Sequence, residues 1–183
     1  LRAIAVIAQV LRQQLAQRGS HLDVLAQGEW PKLRLMERFR AGAGPQGGCI
    51  LVASASFWEG FDVPGDALQL VVIDKLPFPP PGDPLVEART LQIEQSGGSA
   101  FKEYALPEAA LALKQGAGRL IRHESDRGVL VVCDPRLARM GYGKRLIAAL
   151  PPMRRLSGAE AFQAALEDLA SVTRTSTTDQ TFL

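Results

Sequence analysis

Three short apolar runs, rich in β-branched residues, constrain the fold more than any other feature of this sequence. They cover residues 49–53, 70–74 and 128–133 and are bordered by turn-forming residues such as Gly48 and Asp134. Such runs are typical of strands that are buried on both faces, as in parallel sheets. Because helical patterns lie between the runs, we predict an α/β fold with a parallel sheet, flanking helices and right-handed crossovers.

Six segments carry the apolar spacing or the capping residues of helices. Gly19 favours a helix end, while Asp83 and Pro84 are suited to the N-cap and the first position of another helix. The predicted helices span residues 1–18, 32–41, 84–95, 103–121, 137–150 and 159–170. Because the chain opens with a helix rather than a strand, we expect that it is a fragment and that a first strand is missing.

Composition excludes several classes of protein. Hydrophobic residues make up 46% and charged residues 22% of the chain, which is unlike collagen, coiled coils or disordered chains. No apolar run approaches the roughly 18 residues of a membrane helix, and residues 1–12 lack the features of a signal peptide, so we expect a soluble chain. Cys49 and Cys133 lie in apolar runs and are predicted to be buried free thiols, with a bridge between them as the alternative. A zinc site would need His21 and His123 as well.

Charged residues are arranged in blocks along the chain. Residues 1–40 carry seven basic and three acidic groups, residues 41–110 carry three and nine, and residues 111–158 carry ten and three. A basic block around a motif with catalytic residue types favours a phosphate-bearing partner. A solvated helix face is the alternative interpretation.

The segment 54–65 directly follows the first predicted strand. Serine hydroxyls and backbone N–H groups suit phosphate oxygens, and an aromatic ring can stack on a base. Glu59 and Asp62 suit a ribose hydroxyl or an indirect contact to a cation. The alternative is a turn that carries a hydrophobic plug.

The segment 115–122 combines an amide, two glycines and two arginines. On a continuous helix Gln115, Arg119 and Arg122 would lie on one face, at positions i, i+4 and i+7. Such a face is a multidentate clamp for a polyphosphate, and Gly116 and Gly118 permit close approach at about 1 kcal/mol each relative to alanine. Ion pairs with the acidic block are the alternative role for the arginines.

The segment 74–84 is rich in proline and follows the second predicted strand. Its prolines fix an extended, stiff backbone, and Lys75 supplies a cation at the strand end. The segment can brace a nucleic-acid groove or simply connect two layers of the fold.

Taken in order, residues 56–65, 72–79 and 115–122 resemble helicase motifs V, Va and VI. The resemblance covers about residues 1–155 and is to the second motor domain of superfamily 2 DNA helicases of the DinG/YoaA branch, relatives of XPD. It implies a RecA-like lobe over residues 1–155. The helical pattern that follows predicts a C-terminal helix over 156–170, and the polar composition of 171–183, rich in Thr and Ser, predicts a disordered tail. The resemblance also implies a first lobe that carries the P-loop, the Mg-binding acidic box and an iron–sulfur cluster, none of which this sequence contains.

The resemblance assigns roles to individual residues. Arg122 and Arg119 would be arginine fingers on the γ-phosphate of ATP, with Gln115 sensing the nucleotide. The residues expected to bind the nucleotide are Glu59, Gly60, Asp62 and Gly118. The residues expected to contact DNA are Ser54, Ser56, Trp58 and Lys75.

The function implied is that of one lobe of an ATP-dependent 5′-to-3′ DNA helicase that is inactive without its partner lobe. ATP and Mg would serve the intact enzyme, on single-stranded DNA, in the nucleoid of the bacterial cytoplasm. The alternative is a protein-interaction module that docks a replication clamp-loader accessory subunit through an apolar stripe, formed by Phe162, Leu166 and Leu169, unless this stripe packs on its own domain. An unrelated nucleotide-binding α/β enzyme is a third possibility, but the sequence offers it no nucleophile–base pair.

Overall fold

The structure is a computed structural model that describes residues 2–42, 48–57, 68–120 and 126–178, with side chains described as far as Ser171. The chain divides into two compact units, Leu1–Ala67 (unit 1) and Leu68–Leu183 (unit 2). Each unit contains a parallel pair of strands with helices packed beside it.

Within unit 1, the part that the structure describes alternates two helices and two strands. The elements are α1 (Arg2–Gln17), β1 (Asp23–Ala26), α2 (Lys32–Arg40) and β2 (Cys49–Val52), followed by a single 3₁₀ turn at Ala55–Phe57. The strands pair in parallel from Asp23 opposite Cys49 to Ala26 opposite Val52. Helix α1 packs Ile4 and Ala8 against this pair, and Gly19 ends the segment with a φ of 63°. Helix α2 also contacts both strands and buries Leu35, Met36 and Phe39, so the core of unit 1 is formed by the strands with both helices.

Strand β1 is an element that the sequence analysis did not predict. It is only four residues long and lies between two strongly helical patterns. Nevertheless Val24, Leu25 and Ala26 are buried, with 3% or less of each residue exposed. The strand is stabilised by its pairing with β2 and by the packing of α1, which are non-local contacts that a local sequence pattern does not contain.

The described residues of unit 2 form a second parallel pair of strands and five helices. The elements are β3 (Leu70–Ile73), α3 (Pro84–Gln95), α4 (Leu106–Ala117), β4 (Val129–Val132), α5 (Arg136–Arg139), α6 (Gly143–Ala149) and α7 (Gly158–Thr178), with a π-helical turn at Phe101–Ala105 before α4. Strands β3 and β4 pair from Leu70 opposite Val129 to Ile73 opposite Val132. Helices α4 and α6 pack together, with Leu113 and Leu146 fully buried.

Several predicted helix bounds are confirmed and others are wrong. The Asp83 cap is confirmed, since its carboxylate accepts hydrogen bonds from the backbone N–H groups of Leu85 and Val86 at 2.9 and 3.3 Å. The helix predicted over 137–150 is divided into α5 and α6, because the backbone leaves the helical conformation at Met140, the C-cap of α5. A Cβ at Gly143, the first residue of α6, would collide with the backbone carbonyl of Leu137. Helix α7 continues past Ala170, the predicted end of the last helix, to Thr178. The disordered tail over 171–183 stays a prediction, and residues 179–183 lie outside the described part.

The prediction that the strands are buried on both faces is also wrong. In β3, Leu70 and Val72 are 41% and 57% exposed, whereas Ile73 is 4% exposed. This alternation is typical of a strand with one covered and one open face. Cys133 is exposed and Cys49 half-buried, so the expected burial of both cysteines is not found, although both are free thiols. No described helix is both long and apolar enough to cross a bilayer.

A buried carboxylate joins the chain segments that follow β3 and β4. Asp134 is 6% exposed, and its side chain accepts hydrogen bonds from the backbone N–H of Leu76 at 2.9 Å and from the Arg136 guanidinium at 2.6–3.1 Å. The Arg136 guanidinium, followed by the backbone N–H groups of Leu76 and Arg136, holds the pKa of Asp134 well below its usual range. Together these donors outweigh burial, which acts in the opposite direction.

We expect Asp134→Ala to lower the free energy of unfolding by about 1–3 kcal/mol, because the buried N–H of Leu76 loses its acceptor. Since the folded-state pKa is depressed, the ionised carboxylate stabilises the fold fully above the ordinary aspartate pKa of about 3.9 and loses this effect as the pH falls below it. Urea unfolding of both chains across this pH range measures the difference.

The matched control is Asp168→Ala, which removes an exposed carboxylate from α7 and should change stability by about 0.5 kcal/mol or less. A stability difference between wild type and Asp134→Ala that stayed constant from neutral pH to below about pH 4 would contradict the role of the ionised carboxylate.

Candidate functional site

The carboxyl ends of β1 and β2 bring together the serines predicted to contact DNA. Gln27 directly follows β1, and its Oε1 accepts hydrogen bonds from the backbone N–H and the Oγ of Ser54, at 2.8 and 2.9 Å. The Oγ atoms of Ser54 and Ser56 are 2.8 Å apart, and both residues are exposed. We call Gln27, Ser54 and Ser56 the serine edge. In parallel α/β units, ligands bind beyond this end of the strands.

Basic and aromatic residues at the start of α2 adjoin the serine edge. Lys32 Nζ donates to the carbonyl oxygen of Ser56 at 3.2 Å and lies 5.2 Å from the centre of the Phe57 ring. The guanidinium carbon of Arg34 lies 4.0 Å from the centre of the Trp30 ring. The sequence analysis missed these residues and Gln27, because it did not predict β1 and so did not consider the loop that follows it. The available signal was the basic excess of residues 1–40.

Helix α4 ends at Ala117, before the arginines of the predicted clamp. Gly118 is the C-cap, and the next N–H groups bond three residues back, Arg119 to Gly116 at 3.3 Å and Leu120 to Ala117 at 3.1 Å. Such bonds wind the chain by about 120° per residue instead of about 100°. The helix predicted over 103–121 is therefore wrong at its end, and Arg119 lies in the turn beyond α4. The predicted burial of Leu120 is confirmed, with 2% of the residue exposed.

Arg119 carries a buried polar atom with no partner among the described residues. Its Nε is inaccessible to solvent and makes no hydrogen bond there, and the described part of the chain shows no ion pair for this side chain. An unsatisfied buried donor costs about 1–3 kcal/mol, so its presence needs an explanation. A ligand oxygen would supply the missing acceptor. Gln115 lies exposed in the last turn of α4, close by in the sequence.

The carboxyl ends of β3 and β4 carry a second set of residues. The Arg136 guanidinium lies 5.4 Å from the centre of the Phe78 ring, and Phe78, Phe101 and Tyr142 form a cluster of rings with centres 5.2–5.9 Å apart. These contacts anchor the proline-rich segment and favour its role as a connector. Lys75 is exposed and forms no ion pair with any described residue, so its charge is available to a phosphate.

Five of the predicted site residues lie outside the described part of the chain: Trp58, Glu59, Gly60, Asp62 and Arg122. The described residues place Gly118 and Arg119 at the end of α4 in unit 2, and Ser54 and Ser56 at the serine edge in unit 1. Within those same described ranges, no group of three or more His, Cys, Asp or Glu side chains could hold a metal ion.

Comparisons with known proteins agree with the motifs. The model of the helicase C-terminal domain matches residues 2–153. The chain is 52% identical over 134 residues to the ATP-dependent DNA helicase YoaA of Escherichia coli K12, covering 73% of this chain and 20% of that protein. It is 41% identical over 170 residues to the ATP-dependent helicase DinG of Mycobacterium tuberculosis H37Rv, covering 93% and 24%. It is 36% identical over 147 residues to the 3′-5′ exonuclease DinG of Bacillus subtilis 168, covering 79% and 15%.

The chain thus spans between 15% and 24% of the length of these relatives. The predicted α/β class is confirmed by the alternating helices and parallel strands. Since the matched family model covers most of the chain, from the start of α1 to beyond α6, the chain belongs to the helicase C-terminal domain family and is of the DinG/YoaA type.

Proposed function

We propose that this chain is the second motor lobe of an ATP-dependent DNA helicase. The observation that carries the proposal is the family match over residues 2–153, together with relatives named as ATP-dependent DNA helicases. Because the chain spans only a small part of those relatives, the proposal assigns it a share of the activity rather than the whole. The first lobe would supply the P-loop, the Mg-binding acidic box and the iron–sulfur cluster.

Arg119 and Arg122 would act on a nucleotide held between the two lobes. When bound, ATP with Mg would supply the phosphoryl group that is transferred to water. The two guanidinium groups would donate hydrogen bonds to γ-phosphate oxygens and stabilise the negative charge that develops in the transition state. The buried Nε of Arg119, which lacks an acceptor among the described residues, supports this role. Gln115, exposed in the last turn of α4, would sense the nucleotide, and Glu59, Gly60, Asp62 and Gly118 are the further residues proposed to bind it.

The DNA track would begin at the serine edge. The exposed hydroxyls of Ser54 and Ser56 suit phosphate oxygens, with Trp58 and the Lys75 ammonium as further contacts. Contacts of this kind read the backbone and not the base sequence, so affinity should fall with salt. Cycles of lobe closure would move the protein 5′ to 3′, the direction that the family resemblance implies.

The proposed partners are the first lobe of the same protein and single-stranded DNA, in the bacterial nucleoid. Binding of a replication clamp-loader accessory subunit stays a prediction. The exposed fractions of the residues in the suggested docking stripe do not support it. Leu169 is buried at 8% exposed, and Phe162 and Leu166 are half-buried. The exposure of these residues therefore does not favour the interaction-module function.

In the full-length protein, we expect Arg122→Ala to lower the kcat of ATP hydrolysis by about a thousandfold or more, because a stabilising charge is lost at the transition state. Arg119→Lys should also lower it, since lysine keeps the charge but lacks the planar fork of donors. Steady-state ATPase assays with saturating single-stranded DNA measure both effects.

Arg145→Ala is the matched control, because Arg145 is exposed in unit 2 and makes no ion pair among the described residues. It should leave kcat unchanged, and all three variants should keep the wild-type affinity for DNA. Undiminished hydrolysis by Arg122→Ala would exclude its assignment as an arginine finger.

We further expect that the 183-residue chain alone hydrolyses no ATP, whereas the full-length protein hydrolyses ATP in response to single-stranded DNA. The physical reason is that the chain contains no P-loop to cradle the phosphates. A side-by-side ATPase assay of the two proteins, purified to homogeneity, tests this. Turnover by the isolated chain would overturn the assignment as a second lobe.

A further inference from the structure

Trp30 and Arg34 form an exposed pair that the proposed functions of the other residues do not use. Trp30 lies in the loop between β1 and α2 and is 36% exposed. The Arg34 guanidinium lies over the ring, 4.0 Å from its centre, and Arg34 is itself exposed. A large aromatic ring with an adjacent guanidinium plane, both accessible to solvent, offers flat surfaces for a further ring to stack on.

The positive charge of Arg34 is not neutralised by the described part of the chain. Its side chain makes no ion pair there, whereas the nearby carboxylates of Glu29 and Asp23 are already paired, with Arg12 at 2.7 Å and Arg38 at 2.9 Å. These pairs use two of the three acidic and two of the seven basic residues in 1–40, which leaves five basic residues and one acidic residue, Glu37, outside them. The charge of Arg34 beside Trp30 therefore suits an anionic partner.

The pair is continuous with the serine edge. Trp30 forms a β-bridge with Gln27, whose side chain holds Ser54 through two hydrogen bonds. At the start of α2, Lys32 binds the backbone of Ser56. The loop that carries Trp30 therefore links the serine edge to the start of α2, so one unit carries hydroxyls, an exposed ring and cations, which is the combination found in single-strand binding grooves.

We propose that Trp30 and Arg34 form a stacking platform for a base of single-stranded DNA whose backbone passes the serine edge. This inference rests on the proposed function and adds a base contact that is independent of sequence, because every base presents a π face. Arg34 contributes both a stacking plane and a charge near the phosphates.

The test is the affinity of the full-length protein for two fluorescein-labelled strands of equal length, an oligothymidylate and a strand of abasic residues, measured by fluorescence anisotropy. The abasic strand keeps the phosphates and removes the bases. Trp30→Ala should weaken oligothymidylate binding about tenfold and leave abasic binding nearly unchanged, whereas Trp30→Phe should keep most of the affinity. Arg34→Lys should weaken oligothymidylate binding more than abasic binding, because lysine keeps the charge and loses the plane.

Arg18→Ala is the matched control, an exposed arginine in unit 1 without an ion pair among the described residues, and it should not distinguish the two strands. Equal losses on both strands for Trp30→Ala, or no loss on either, would overturn the platform. The platform would also be overturned if Trp30→Phe lost as much DNA affinity as Trp30→Ala and both losses followed a fall in melting temperature. The pair would then only stabilise the start of α2.

The same protein preparations separate this inference from the proposed function. If DNA stimulates ATP hydrolysis by the wild type and Trp30→Ala still binds both strands normally, the platform alone fails. If the wild type neither binds single-stranded DNA nor hydrolyses ATP in its presence, the helicase function fails and the platform fails with it.

Discussion

The buried carboxylate of Asp134 is the interaction on which the carboxyl edge of unit 2 depends. It is the one charged residue buried among those the structure describes, and it holds the backbone N–H of Leu76 after β3 and the guanidinium of Arg136 after β4. Because the strands themselves are four residues long, these bonds extend the link between the paired segments beyond the ladder. With Arg136 held in place, its guanidinium covers Phe78, and the proline-rich segment is fixed against the ring cluster.

Sequence reasoning succeeded where the signals are local. The start of helix α3 was predicted because Asp83 and Pro84 act through their own backbone neighbours. Strand β1 was missed because its stability comes from pairing with β2, more than twenty residues away along the chain. The glycines of the segment 115–122 were recognised as costly in a helix, but not as the place where α4 ends, since that outcome depends on how Ala117 and Leu120 pack.

In the candidate site, too, local features could be predicted from the sequence and non-local contacts could not. The residue types that suit phosphate, base and nucleotide were visible in the sequence, and the order of three motifs identified the family that the comparisons show. The contacts that organise those residues were not visible. Gln27 meets Ser54 only because Ala26 pairs with Val52, which brings the ends of two strands together. Such geometry follows from register, and register is a property of two segments at once.

The serine edge has a further consequence when its protons are counted. The N–H of Ser54 can only donate, so the Gln27 atom that faces it must be the amide oxygen, and the Ser54 hydroxyl proton must point to that same oxygen. The remaining bond between the two hydroxyls then takes the proton of Ser56. Both protons are thus already committed, and a phosphate oxygen arriving here must take one from an existing bond. The exchange leaves the number of hydrogen bonds unchanged, so these hydroxyls set where a phosphate sits and add to its affinity only by the extra strength of a bond to a charged oxygen.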